Sequence, residues 1–183
     1  ETHPELPVVA FPRRADPRDV LVLPKGVEKL DFSKPIGCSS QRRILQLKEL
    51  FPEAEFQSVR GNVLTRLQKL DSGEYGALVL AAAGLDRLEL SGENQWKFEH
   101  LSSEVCLPAA GQAILAVESR NGDLREVLNA IHDKCAWVEL CAERAFLKAI
   151  GGSCNAPAAG LAHLDENGVL QMDALIAPDQ KHY

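Results

Sequence analysis

The sequence predicts an α/β protein whose central sheet is mostly parallel, with flanking helices. Three observations carry that expectation. Short apolar runs alternate with helical periods between residues 36 and 81. The run Ala77–Ala81 (ALVLA) is apolar throughout, as in a strand covered on both faces. Strand and helix candidates also succeed one another at the spacing of βαβ units, whose crossover helices return the chain to a parallel neighbour.

In order, the opening from Glu1 to Lys34 is proline-rich and reads as extended segments and turns. Within it, Leu6–Phe11 (LPVVAF) is a strand candidate bounded by Pro4 and Pro12, and Arg13–Asp19 (RRADPRD) is a polar connector or hinge. Ser39 and Ser40 supply an N-cap signal for a helix over Gln41–Leu50, with Ile44, Leu45 and Leu47 apolar. Phe56–Val59 is a short strand. Gly61-Asn62 breaks it, and Val63–Leu70 resumes a helical period with Leu64, Leu67 and Leu70 on one face. Asp71-Ser72-Gly73 stops that helix before the strand at Ala77. After a connector opening at Leu107-Pro108, Ala113–Glu118 (AILAVE) reads as a strand and Asp123–His132 as a helix. Trp137–Ile150 is a longer amphipathic helix with Leu140, Ala145, Phe146 and Leu147, ended by Gly151-Gly152. Ser153–Pro157 is a loop. Ala158–Leu164 and Val169–Ile176, joined by a turn at Asp165–Gly168, form a β-hairpin.

Composition narrows the function classes. A chain of 183 residues suggests one or two compact units with pieces of a third. Its 45% hydrophobic and 25% charged residues match a soluble globular protein and exclude collagen-like and low-complexity classes. Lys+Arg 20 against Asp+Glu 26 leaves a net charge of -6, so neither a nucleic-acid nor a membrane partner is expected, although a local basic cleft stays open. No apolar run approaches the ~20 residues a membrane span needs. Five cysteines, at 38, 106, 135, 141 and 154, are odd in number and form no Cys-x-x-Cys pair. With no signal peptide visible, they suggest a reduced, cytoplasmic protein. The five histidines lack metal-ligand spacing, so no metal is expected, and no Gly-x-Gly-x-x-Gly or P-loop pattern occurs. The chain begins at Glu1 and its single methionine is Met172, so residue 1 is not expected to be the start of translation.

Three constellations carry chemistry. Gly37-Cys38-Ser39-Ser40-Gln41-Arg42-Arg43 sits at a strand-to-helix turn, where hydroxyls, free N–H groups and the helix terminus favour an anion. Arg42 and Arg43 oppose the helix dipole there, which makes sense beside an anionic ligand; the plain alternative is a capped helix with solvated arginines. Ser58-Val59-Arg60-Gly61-Asn62 adds Arg60 at a strand end and Arg66 in the next helix, with Arg87 at a further strand exit. Ligands of open α/β sheets bind at the carboxyl ends of the strands. Several arginines at that edge of an acidic chain suggest a ligand with several carboxylates or phosphates, which guanidinium forks grip bidentately. Finally, Cys154 in GGSCNAP lies on a glycine-flanked loop, where an approachable thiol serves as nucleophile or covalent anchor.

DPRD (16–19), GCSSQRR (37–43), SVRGNVLTRLQKLDSGEYGALVLAAAGLDRL (58–88), LPAAGQAILAVESR (107–120) and GGSCNAP (151–157) together resemble the porphobilinogen deaminase (hydroxymethylbilane synthase) family over nearly the whole chain. The resemblance implies stepwise condensation of four porphobilinogen molecules with loss of ammonia, in porphyrin (haem) biosynthesis. It implies a dipyrromethane cofactor held by a thioether to Cys154. Ser39, Ser40, Arg42, Arg43 and Arg60 match cofactor-binding positions, and Arg60, Arg66 and Arg87 match substrate-binding ones. It further implies three domains: a first represented here by 1–17 and 109–128, a second (18–108) resembling type 2 periplasmic binding proteins, and part of a small α+β third domain (129–183). The family's catalytic aspartate belongs to a Lys-Asp motif upstream of the position matching Glu1, so no catalytic residue is expected in this chain. On that reading the isolated chain is inactive, and an N-terminal polypeptide completes the first domain. Cys38 stands where threonine is usual, and Gln112-Ala113 where Gln-Gly is usual, which stiffens the hinge. The alternative is a non-catalytic carboxylate-binding α/β module derived from the family.

Overall fold

The computed structural model describes residues 5–90, 95–151 and 157–177. Its centre is a five-stranded sheet of β2 (Asp19–Pro24), β3 (Ile36–Gly37), β4 (Phe56–Gln57), β5 (Ala77–Ala81) and β6 (Trp96–His100), in the order β4-β3-β5-β2-β6. β3 pairs in parallel with β4 and β5, as the βαβ spacing predicts. β2 runs antiparallel between β5 and β6, so the sheet is mixed and the mostly parallel expectation holds for one half only. The reason is local. β2 lies in the proline-rich opening, read from sequence as irregular, and it enters the sheet from the edge at which β5 ends: Asp19 pairs with Ala81.

β2 reads DVLVLP, and its alternation builds one core on each face of the sheet. Val20 and Val22 pack with Leu67, Leu70, Tyr75, Leu78, Leu80 and Leu85. Leu21 and Leu23 pack with Ile36, Leu47, Ala77, Val79 and Cys106. Thus α1 (Gln41–Leu50) covers one face, while α2 (Val63–Asp71) and α3 (Ala82–Arg87) cover the other. α1 and β5 fall where the periodicity puts them. α3 and β6 have no counterpart in the sequence reading. α2 is capped by Asn62, whose side chain accepts from Thr65 N at 2.8 Å. Ser40 occupies the N-cap position of α1, yet its side chain makes no capping bond.

The expected strand over 113–118 shortens to β7 (Val117–Glu118), paired with β1 (Val8–Ala10), because Ala113 adopts φ 72 and cannot continue a strand. The expected helix over 123–132 reduces to α4 (Arg125–Leu128), flanked by 3-10 turns, since Leu124 enters it at φ 59. α5 (Lys134–Ala149) starts three residues earlier than the sequence suggests, because Asp133 caps it by accepting from Ala136 N. Gly151, at φ 63, follows its end. β8 (Ala158–Leu164) and β9 (Leu170–Ile176) form the expected hairpin in full register, and α5 packs on β8.

Candidate functional site

Parallel pairing sends β3, β4 and β5 out of the sheet at one edge, so the loops after them are neighbours. Ser39 joins two of these loops. Its Oγ donates to Val59 O at 2.8 Å, accepts from Val59 N at 3.0 Å and lies 3.0 Å from Ser58 Oγ. Arg60 follows directly and is exposed. Ser40 begins α1 beside Ser39, leaving its hydroxyl and the first N–H groups of the helix uncapped by its own side chain.

Arg42 and Arg43 meet a carboxylate that the sequence reading left in a connector. Asp19, the fully buried first residue of β2, lies at this same edge through its pairing with Ala81. Arg42 donates to Asp19 Oδ2 at 2.8 Å and Arg43 to Oδ1 at 2.6 Å. Gln112 Nε2 adds a third donor at 2.8 Å from Oδ1. Burial alone would raise the Asp19 carboxyl, but Arg43 and Arg42 outweigh it and hold the group below its ordinary range. Burial, and then Asp19, push the neighbouring Cys106 thiol up to about 12, so this thiol is inert. Arg42 also donates to Leu107 O, and Gln46 brackets the same residue, accepting from Leu107 N at 2.7 Å and donating to Leu107 O at 3.2 Å. In the DPRD motif, therefore, Asp16 pairs with Arg18, Pro17 accepts from Gln112, and Asp19 holds the two arginines.

The other sequence candidates are spread around this edge. Arg66 donates to Gly61 O at 2.8 Å, bracing the loop that carries Arg60. Arg87 ends α3 rather than a strand, and it donates to Ala113 O at 3.0 Å in the connector. Cys154 lies outside the described residues. The elements on either side of its loop are fixed by a second buried cluster: Glu143 of α5, 0% exposed, pairs with Arg14 at 2.6 Å and accepts from Gly111 N and from Ala162 N of β8. Arg14 Nε donates to Gln112 O at 3.1 Å. A continuous polar chain thus runs from Arg43 through Asp19, Gln112 and Arg14 to Glu143.

Sequence reasoning missed Asp19, Arg14, Gln112 and Glu143 as a group. Signals were present: a carboxylate opening an apolar strand, and Glu139 and Glu143 at i,i+4 on the face of α5 that also buries Ala136 and Leu140. Of the apolar face expected for that helix, Leu140 is buried, Phe146 and Leu147 are half-buried, and Ala145 is exposed.

Fold and site define a mixed α/β protein with a hydroxyl- and arginine-bearing sheet edge, tied through a buried polar hinge to a helix–hairpin unit. Comparison with known proteins gives the family. Residues 1–127 match "Porphobilinogen deaminase, dipyromethane cofactor binding domain" and residues 137–182 match "Porphobilinogen deaminase, C-terminal domain". The chain belongs to the porphobilinogen deaminase family. It is 47% identical over 171 residues to the porphobilinogen deaminase of Acetivibrio thermocellus, covering 93% of this chain and 56% of that protein. It is 42% identical over 184 residues to that of Thermus thermophilus, covering 97% and 60%. The chain therefore spans little more than half the length of these relatives. Among solved structures the likeness is distant: the second substrate-binding domain of a putative amino acid ABC transporter from Streptococcus pneumoniae matches with TM-score 0.42 at 13% identity, covering 77% of this chain and 60% of that one. The assignment rests on the sequence matches. No helix among the described residues is long and apolar enough to cross a membrane.

Proposed function

We propose that this chain is the larger part of a hydroxymethylbilane synthase, which condenses four porphobilinogen molecules and releases ammonia at each step. The observation that carries the proposal is the carboxyl edge of β3 and β4. There Ser39, Ser40 and the exposed Arg60 stand beside an uncapped helix start, with Arg43 just behind. The Ser40 hydroxyl, the free helix N–H groups and the Arg60 fork suit a ligand bearing acetate and propionate groups, while the Ser39 hydroxyl fixes the loop beside them. It fits the family's dipyrromethane cofactor on a further count: Arg43 Nε is buried with no hydrogen-bond partner, so the edge still has a donor to offer an acceptor.

Ser39, Ser40, Arg43 and Arg60 would hold the cofactor's carboxylates, with the buried Arg42 behind them and Cys154 as the covalent attachment. Arg60, Arg66 and Arg87 would take those of the incoming porphobilinogen. When bound, the cofactor supplies the pyrrole carbon from which the chain grows. This polypeptide's own residues bind and orient. Guanidinium forks fix carboxylates bidentately, setting the spacing of successive rings, while Gly61, at φ 117, lets the backbone turn so that Arg66 can brace the Arg60 loop. The three separate sheets are compatible with a family division into 1–17 with 109–128, 18–108 and 129–183.

Attachment tests the proposal against a non-catalytic anion-binding module. Co-expressed with a polypeptide that carries the family's Lys-Asp motif, in cells that make porphobilinogen, the chain should give an Ehrlich colour and an intact mass increased by two pyrrole units. Cys154→Ala should lose both, while Cys106→Ala and Cys141→Ala keep them. Absence of the adduct from the wild-type chain would support the module instead. An adduct persisting on Cys154→Ala would remove Cys154 from the site.

A further inference from the structure

Arg42 and Arg43 are adjacent, alike in charge and matched together to cofactor-binding positions by the family resemblance, but their surroundings are not alike. Four of the five N–H bonds of Arg42 face acceptors, Nε–H having none among the described residues: Leu107 O, Cys106 Sγ at 3.7 Å, Asp19 Oδ2 at 2.8 Å and Gln112 Oε1 at 3.4 Å. Its side chain is 4% exposed. Arg43 spends one N–H on Asp19 Oδ1 at 2.6 Å and one on Val79 O at 3.3 Å. That leaves three of its five without a partner among the described residues, the buried Nε–H being one of them. Its side chain is 13% exposed.

We infer that Asp19 is a positioning residue that divides the labour of the two arginines, making Arg42 a strut and Arg43 the ligand-reading group. The inference rests on the carboxylate-binding reading of this edge. One oxygen of Asp19 holds Arg42, which in turn ties α1 to Leu107 and the connector. The other oxygen holds Arg43 by a single nitrogen and Val79 O takes one further N–H, so three of its five stay unspent for an acceptor at the edge. A cluster of two guanidiniums and one carboxylate also keeps one net positive charge, and Gln112 fixes the carboxylate from the connector.

Charge alone and positioning predict opposite signs. Neutralising Asp19 raises the cluster's net charge, so charge alone tightens anion binding, whereas loss of positioning weakens it. The probe is uroporphyrin I, an octacarboxylate porphyrin whose fluorescence reports binding to the 183-residue chain. Arg43→Lys should weaken binding about tenfold or more, because the fork is lost although the charge stays. Arg42→Lys should lower the melting temperature while the folded protein binds within about threefold of wild type. Asp19→Asn should weaken binding about tenfold. In the arginine side-chain NMR spectrum, the Arg43 Nε–H signal should shift on titration and that of Arg42 should stay. Equal losses in the two lysine variants, or tighter binding by Asp19→Asn, would overturn the division of labour. Should Asp19→Asn fail to fold, the two lysine variants decide. A wild-type chain that does not bind uroporphyrin I removes the carboxylate reading of the edge, and this inference with it.

Discussion

At the scale of single residues, the Asp19 carboxylate governs this edge through its charge. Its carboxyl is held below the ordinary 3.8 by Arg43 and Arg42 in spite of burial. A group whose folded value is depressed contributes stability that is fully present above the unfolded value and disappears as pH falls through the folded one. Urea denaturation of wild type and Asp19→Asn should therefore show the wild-type advantage at pH 7, and that advantage should shrink once pH drops below about 4. An advantage that is constant or grows towards pH 3 would mean that Asp19 is not ionised in the fold. The same packing explains why the buried thiols are unsuited to chemistry: Cys106 is pushed up to about 12, and burial raises Cys38 as well.

At the scale of elements, close approach and buried pairing set the limits. β3 is only Ile36–Gly37, and it is squeezed between β4 and β5. A Cβ on Gly37 would lie 2.5 Å from Leu78 Cδ2 and 3.0 Å from Tyr75 Cδ1. Gly37→Ala should thus cost about 1–3 kcal/mol in chemical denaturation, because neighbouring strands must move apart; a neutral change would mean that the Leu78 side chain simply turns away. α5 meets the connector through Arg14 and Glu143, side chains 9% and 0% exposed. Arg14→Met leaves a buried carboxylate with only backbone donors, and it should cost about 3–5 kcal/mol in the same assay. A loss below about 1 kcal/mol, the worth of a surface pair, would show that Gly111 N and Ala162 N already satisfy Glu143.

At the scale of the whole molecule, binding and charge stabilisation are separable tasks. Joining pyrroles develops positive charge, which a carboxylate against the pyrrole nitrogens must stabilise. Among the described carboxylates, Asp19 is committed to Arg42 and Arg43, and Asp71 accepts from Trp96 Nε1 at 2.8 Å. The family's catalytic aspartate sits in a Lys-Asp motif, and no Lys-Asp dipeptide occurs in this sequence, so the 183-residue chain alone should yield no hydroxymethylbilane from porphobilinogen. Activity should return on adding a polypeptide that carries the family's Lys-Asp motif. Uroporphyrin I measured after acid cyclisation and oxidation reads the result, and product from the isolated chain would show that another acid on this chain does the work.

The sequence by itself determined the helices α1, α2 and α5, strand β5 and the β8–β9 hairpin, because each is specified by periodicity and caps within its own few residues. It also carried the family resemblance and the residues at the carboxyl edge of β3 and β4, since loop motifs such as GCSSQRR and SVRGN are contiguous. Only tertiary structure decided that β2 is antiparallel, because LVL reads the same in either direction and the direction follows from where the connector enters. Tertiary structure likewise reduced the 113–118 strand and the 123–132 helix, where Ala113 and Leu124 take left-handed backbone that no local pattern announces. Above all it decided the partners of the arginines. Asp19 lies more than twenty residues from Arg42 and Arg43, and Arg14 lies 129 from Glu143. A buried charge chooses its counterion by proximity in space, and one-dimensional spacing carries no record of that.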